Sequence, residues 1–422
     1  MTVRRPICLA LLLALGACNR RVTPAGEAPS SPTLPQRSTP EPEFAVSAET
    51  FGDVRMLRYR VHGFDQLPLA KKQLLYLLQE AALSGRDITY DQRYRHNLTI
   101  RRTLEAIVNA ARSAPEGAES DEDRALLLYL KRIWFSNGIH DANSNRKFVP
   151  EGVGPEAFAR RVRALDPKAL PRLAGESVDA FLTRITPIVF DPKLDPERVN
   201  RDPERDPIAD SANHFYVDLD RARVQAFMQQ KSPEDPAAPP SFGLNSQLVG
   251  HKDGSIEERT YRIGGLYGEA LEECVRWLTR ALPLAENAAQ RSALEALISF
   301  YRTGDVRDFD RYSVAWVADT DSSIDLIHGF IETYGDPLGL RGTYEALVEL
   351  VDVDATRRIA ALSKHAAWFE AQSPIDTAYK KEEIVGIHAR VVQSVVSAGD
   401  TAPGMPTGIN LPNSSWIRER HG

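Results

Sequence analysis

Apolar residues recur every three to four positions in some stretches and alternate in others, which predicts a mixed body of helices and strands from Phe44 onward. Leu67–Leu83 carries an apolar helical face, and Gly85 follows as a stop. Thr103–Ala111 and Glu122–Phe135 read as two further helices, the second closed by Asn137-Gly138. Phe158–Leu165 and Ser177–Arg184 are shorter, and Pro187 is expected to end the latter. Asp191–Asp210 repeats an acid before proline, a pattern that favours a solvated loop over a calcium site, since the spacing of a calcium-binding loop is absent. Gln247–Ile263 predicts a hairpin turning at Lys252-Asp253-Gly254. Gly265–Leu282 and Ala288–Tyr301 predict antiparallel helices, and Ala355–Phe369 and Lys380–Ser397 two more. No internal repeat is visible, and the fold class is α+β, mostly helical.

The first forty residues follow a different pattern. Arg4 and Arg5 precede the apolar run Ile7–Leu15, too short to span ~30 Å of hydrocarbon. Leu15-Gly16-Ala17-Cys18 resembles the bacterial lipoprotein processing box, which implies a signal peptide over 1–18 and lipidation of Cys18; an ordinary signal with an incidental cysteine is the alternative. Residues 19–45, rich in proline with little to bury, are expected to form a disordered tether. Asn19 after the cysteine favours an outer-membrane anchor facing the periplasm. The expected location is the cell envelope, anchored to a membrane and not threaded through it.

Charge and chemistry narrow the function. Among 422 residues, 58 acids against 52 bases give a net charge of −6, which argues against general attraction to nucleic acid. Three cysteines exclude a disulfide scaffold. No two histidines sit at metal-binding helical spacing, and phosphate-binding glycine loops and serine nucleophile elbows are absent. His328 and His388 read as structural, and Cys274 as a half-buried small apolar residue; Glu272-Glu273-Cys274 on a helix cannot converge on one ion. Two dense polar and glycine-rich stretches remain, Trp316–Gly342 and Gly404–Arg418. By residue type alone, the first is a strand ending in an Asp-Pro turn or a site, and the second an ordinary loop or a site.

Gly329-Phe330-Ile331-Glu332-Thr333-Tyr334-Gly335-Asp336-Pro337 with Arg341-Gly342, and Gly408-Ile409-Asn410-Leu411-Pro412-Asn413, resemble the two signatures of the dipeptidyl peptidase III family. Trp134–His140, Gly243-Leu244-Asn245-Ser246 and Trp368-Phe369-Glu370 support the resemblance, which runs from about residue 50 to the last. Members of that family are zinc exopeptidases that release dipeptides from peptide N-termini. The resemblance implies a lower lobe with a β-barrel core over 46–345 and again over 394–422, and part of a helical upper lobe over 346–393. It implies that Asp325 grips the substrate's free amino group and that Asn410 and Asn413 bind the N-terminal end of the peptide. A carboxylate and amide oxygens suit an ammonium.

The sequence also departs from the family. Ile327 stands where better-known members carry a tyrosine that stabilises the transition state, so catalysis would need another donor. His140 is followed by Asp141-Ala142-Asn143, where bacterial relatives tend to carry histidines. The family's zinc helices lie beyond the second signature, and no such motif occurs in these residues. The expectation is therefore a truncated homologue with no zinc of its own and no catalytic residues, inactive alone. A membrane-anchored, zinc-free module that binds short peptides is the alternative, and a remnant without function a third reading.

Overall fold

The computed structural model describes residues 44–421 apart from 114, 116–119, 382–383, 385–389 and 405. Cys18 with its signal segment, nearly all of the expected tether and His388 lie outside the described residues.

A hairpin of β1 (Ser47–Phe51) and β2 (Val54–Leu57) precedes helix α1 (Leu69–Ser84), which matches the predicted segment and buries Leu74, Leu75, Leu77 and Leu78. Next come α2 (Arg86–Arg93) and α3 (Asn97–Arg112), the latter six residues longer at its start than predicted. Helix α4 (Asp121–Ser136) starts at a capping box in which Ser120 and Asp123 satisfy each other's backbone N–H. It closes at Asn137, whose left-handed backbone a short polar side chain tolerates. Helices α5 (Pro155–Arg163) and α6 (Val178–Phe190) complete a helical core with α3 and α4. Pro187 does not end α6 as expected. Ile188 and Val189 beyond it bury themselves beside Phe181 and Ile185, worth roughly 3–6 kcal/mol. That offsets the ~3 kcal/mol an interior proline costs.

Residues 191–210 form turns, as predicted, with Asp191, Asp202 and Asp206 accepting backbone N–H bonds from just ahead in the chain. Strand β3 (Tyr216–Val217) and helix α7 (Arg221–Met228) lead to β4 (Ser246–Gly250) and β5 (Ile256–Thr260), the predicted hairpin, with β3 parallel to β4. Helices α8 (Gly268–Ala281) and α9 (Ala288–Thr303) are the predicted pair. Cys274 is fully buried, not half-buried, because α8 packs on α1 and its thiol donates to the Ala81 carbonyl. Helix α10 (Val306–Ala318), capped by Asp305, was not foreseen.

Strands β6 (Ile324–Glu332), β7 (Thr343–Val351) and β8 (Val392–Gly399) form an antiparallel sheet in that order. Strand β8 replaces the last part of the helix expected over Lys380–Ser397. Its β-branched Val392, Val395 and Val396 suit a strand, and its backbone pairs along β7 from Val351 to Glu345. The expected helix Ala355–Phe369 is split into α11 (Val353–Ser363) and α12 (Ala366–Gln372), which leave Leu362, Trp368 and Phe369 exposed. Helix α13 (Ser415–His421) follows the second signature. The mixed, mostly helical architecture agrees with expectation. The barrel does not: among the described residues the sheets have two, three and three strands and are open, since edge strands such as β6 and β8 have one partner each. The lobe boundary expected at residue 345 falls inside β7.

Candidate functional site

Strand alternation gives the β6–β7–β8 sheet two different faces. Ile324, Leu326, His328 and Phe330 of β6 join Tyr344, Ala346, Val348 and Leu350 of β7 against α1, α8 and α9. His328 is fully buried there, with Nδ1 2.5 Å from the Tyr301 hydroxyl and Nε2 3.1 Å from that of Tyr344. Burial holds its pKa down at about 4, so the ring is neutral at pH 7 and serves the core.

The opposite face carries Asp325, Ile327, Gly329 and Ile331, and borders a cavity of about 670 Å³. Ile327 and Ile331 form its floor. Helix α10 supplies one wall through Phe309, Asp310, Tyr312, Ser313 and Trp316; the rest comes from the 240–244 and 411–414 loops, from Glu332 and the turn after β6, and from Met228 of α7. Gly329 makes this packing possible: a Cβ there would stand 2.6 Å from Cε2 of Phe309. The lining is apolar with two carboxylates, Asp310 and Glu332, and contains no Lys or Arg. Burial raises the Asp310 pKa to about 6. Such a cavity suits a small cation with apolar substituents.

Asp325 stands just outside the lining and is tied to it. The Trp316 indole Nε1 donates to Asp325 Oδ1 at 2.7 Å, and the Leu326 N–H donates to the same oxygen at 2.8 Å. Burial pushes the Asp325 pKa up, opposed by these bonds and by the charge of Arg390. Asn413 borders the cavity beside Leu411 and Pro412, whereas Asn410 is exposed and outside the lining. Of the three predicted binding residues, Asn413 lines the cavity, Asp325 is joined to it through Trp316, and Asn410 lies outside.

Ile327, at the place of the family's tyrosine, contributes only apolar floor. The Tyr312 hydroxyl reaches the same region but is committed to backbone: it donates to the Leu326 carbonyl at 2.8 Å and accepts from the His328 N–H at 3.3 Å. His140 lies elsewhere, buried with Nε2 2.9 Å from the Asp195 carbonyl, and burial lowers its pKa to about 4.

Much of the first signature is structural. The Asp336 carboxylate accepts from the Tyr216 hydroxyl and from the N–H groups of Leu338, Leu340 and Arg341, at 2.8–3.0 Å. Arg341, fully buried, donates to the Gly243 carbonyl at 2.7 Å and to Ser246 Oγ, while the Gly342 N–H donates to the Leu244 carbonyl. These bonds fasten the turn after β6 to the 243–246 loop, and Leu244 of that loop borders the cavity. Sequence reasoning missed α10 as a wall; Trp316, at the edge of the dense polar stretch, was the available signal.

Residues 246–422 match the model of peptidase family M49. Human dipeptidyl peptidase 3 is 28% identical over 329 residues, 73% of this chain and 44% of the relative. The Dictyostelium discoideum dipeptidyl peptidase 3 is 30% identical over 165 residues, 38% of this chain and 23% of the relative. The fold is similar to that of dipeptidyl peptidase III from Caldithrix abyssi, with a TM-score of 0.58 and 22% identity over 86% of this chain and 55% of that one. The enzyme from Corallococcus sp. strain EGB gives 0.56 and 20%, over 84% and 52%. The class is therefore a peptidase fold built around an acidic, apolar cavity. The likeness is to peptidase family M49, the dipeptidyl peptidase III family, and the family model is matched over residues 246–422. The chain spans about half, or less, of the length of these relatives.

The family's zinc does not fit the described residues: among them no three His, Cys, Asp or Glu side chains stand together as a ligand set. Glu272 and Glu273 are on α8, and their neighbour Cys274 turns into the core.

Proposed function

We propose that this chain holds the free N-terminus of a short peptide in the cavity between α10, β6 and the 411–414 loop, as the peptide-binding part of a dipeptidyl peptidase III-type zinc exopeptidase. Asp325 receives the ammonium. Asn413 and, from the outer side of the loop, Asn410 receive the first peptide groups. Ile327, Ile331 and Phe309 accommodate an apolar side chain. The single observation carrying this reading is that Asp325, through the Trp316 indole, and Asn413 meet at one cavity whose other charged lining groups, Asp310 and Glu332, are acidic. An ammonium gains charge-assisted bonds there, while a peptide with a blocked terminus gains none.

The described residues offer no ligand set for the metal that would activate water, and the chain alone is proposed to bind without cutting. Helices α11 and α12, within the expected segment 346–393, are proposed as the start of the helical upper lobe, which the exposed Leu362, Trp368 and Phe369 support. Lipidation at Cys18 and an envelope location are proposed on the sequence of the first eighteen residues alone. Calorimetry with trialanine and N-acetyl-trialanine tests the binding reading. Trialanine is expected to bind, the acetylated peptide not to, and Asp325→Ala to weaken binding at least tenfold, the loss of a charged bond of about 1.5–3 kcal/mol. Equal binding of both peptides, or an unchanged D325A variant, overturns it.

A further inference from the structure

Glu349 of β7 lies directly opposite Asp325 of β6, on the same face of the sheet as the cross-strand pair Ile327 and Leu347 that follows it toward the cavity. Directly opposed residues bring their Cβ atoms within about 4.5–5.5 Å, and like charges so placed repel. Glu349 is only 6% exposed, yet among the described residues its carboxyl receives no hydrogen bond, and the charge acting on it is that of Asp325. On Asp325 both bonds fall on Oδ1, leaving Oδ2 open. Among the described residues, the other charges facing the pair are Asp319 and Arg390. Arg390 directs its guanidinium to the carbonyls of Asp319 and Ser322, at 2.7 and 3.3 Å, and closes neither carboxyl. A buried carboxyl without a partner is costly, and glutamine or leucine would fit the strand better if stability alone mattered.

We propose that Glu349 is the second carboxylate of the ammonium pocket, sharing one proton with Asp325 when the pocket is empty and surrendering that proton to solvent when a peptide ammonium takes its place. The inference rests on the peptide-terminus reading above and adds to it a residue and a proton count. In the balance, the ammonium keeps its three protons, the carboxyl O–H of the pair breaks, and the proton goes to buffer. Two carboxylates then face one cation, and their repulsion is replaced by two ion pairs. Burial, with the charge of Asp325, raises the Glu349 pKa to about 7, so the proton is present in the empty pocket at pH 6.

The test is titration of the 422-residue chain with trialanine at pH 6 and pH 8.5, each in two buffers of different ionisation enthalpy. The wild type is expected to release close to one proton per peptide at pH 6 and to take up most of one at pH 8.5, where the pair is already ionised and the peptide amine, with a pKa of about 8, must gain a proton to bind as the ammonium. Glu349→Gln is expected to release none at either pH and to bind about tenfold more weakly, while Glu349→Asp restores part of both. Trialanine binding by the wild type without proton release at pH 6, a result that needs no variant, overturns the inference and leaves the peptide reading standing. Binding and proton count unchanged in E349Q do the same. Failure of the wild type to bind trialanine removes both.

Discussion

The two faces of the β6–β7–β8 sheet are built from alternate residues of the same strands and follow opposite rules. On the inner face every large group is buried and every polar atom of His328 is met, by Tyr301 on one nitrogen and Tyr344 on the other. On the outer face Glu345 and Glu349 are as deeply buried, 2% and 6% exposed, yet among the described residues Glu345 keeps one oxygen without a partner and Glu349 receives no bond. Polar groups in a fold's interior are normally satisfied, so a face that leaves carboxyls open spends stability on something other than folding. The inner face is thus architectural, and the outer face is the one on which the proposed recognition rests.

Truncation on the inner face is expected to have the largest effect. Phe330 is fully buried and packs against Tyr261, Phe300, Tyr301 and Tyr344 at ring separations of 4.8–6.4 Å. Phe330→Ala should cost about 3–5 kcal/mol, read as a lower midpoint in urea denaturation. A loss below about 1 kcal/mol would mean that this face is not the core of the sheet.

The outer face is expected to respond to pH instead. Burial, with Asp400 and Glu332 nearby, raises the Glu345 pKa from 4.5 to about 8. A raised carboxyl keeps its proton in the folded state while the unfolded chain loses it. This group's contribution is therefore fully present below pH 4.5 and is lost as pH rises to about 8, by about 2–4 kcal/mol once water penetration is allowed for. Glu345→Gln, which cannot ionise, should flatten the wild-type fall in stability between pH 5 and pH 8 and leave the variant the more stable at pH 8. Parallel pH profiles for the two proteins would show that Glu345 is paired.

What the sequence made legible follows the same division. The inner face and its helices have strong periodicity, so α1, α4, α8 and α9 and the β4–β5 hairpin were found within a few residues. Segments whose state depends on distant partners were not: β8 has a helix-compatible period and becomes a strand only because β7 offers an edge. Helix α10 mixes Asp308, Asp310 and Ser313 with Phe309 and Trp316, since one of its sides faces a cavity and not a core. At the proposed site, Asp325, Asn410 and Asn413 were named from the resemblance alone. Glu349 could not be named, because its meaning lies in the register that sets it opposite Asp325.

The smallest expected effect separates two residues that the signature treats alike. Asn413 borders the cavity beside Pro412, while Asn410, three residues earlier, is exposed and outside the lining. Neither side chain is buried, so neither Asn413→Ala nor Asn410→Ala should shift stability beyond about 0.5 kcal/mol. In trialanine binding they should part. Asn413→Ala removes an amide from the wall and is expected to weaken binding about three- to tenfold, one neutral hydrogen bond at about 0.5–1.5 kcal/mol. Asn410→Ala is expected to stay within about twofold. Equal losses would mean that the loop closes over the peptide and brings Asn410 inward. A larger loss at Asn410 would move the bound terminus to the solvent side of the loop, and the outer face of the sheet would lose its claim to be the recognition surface.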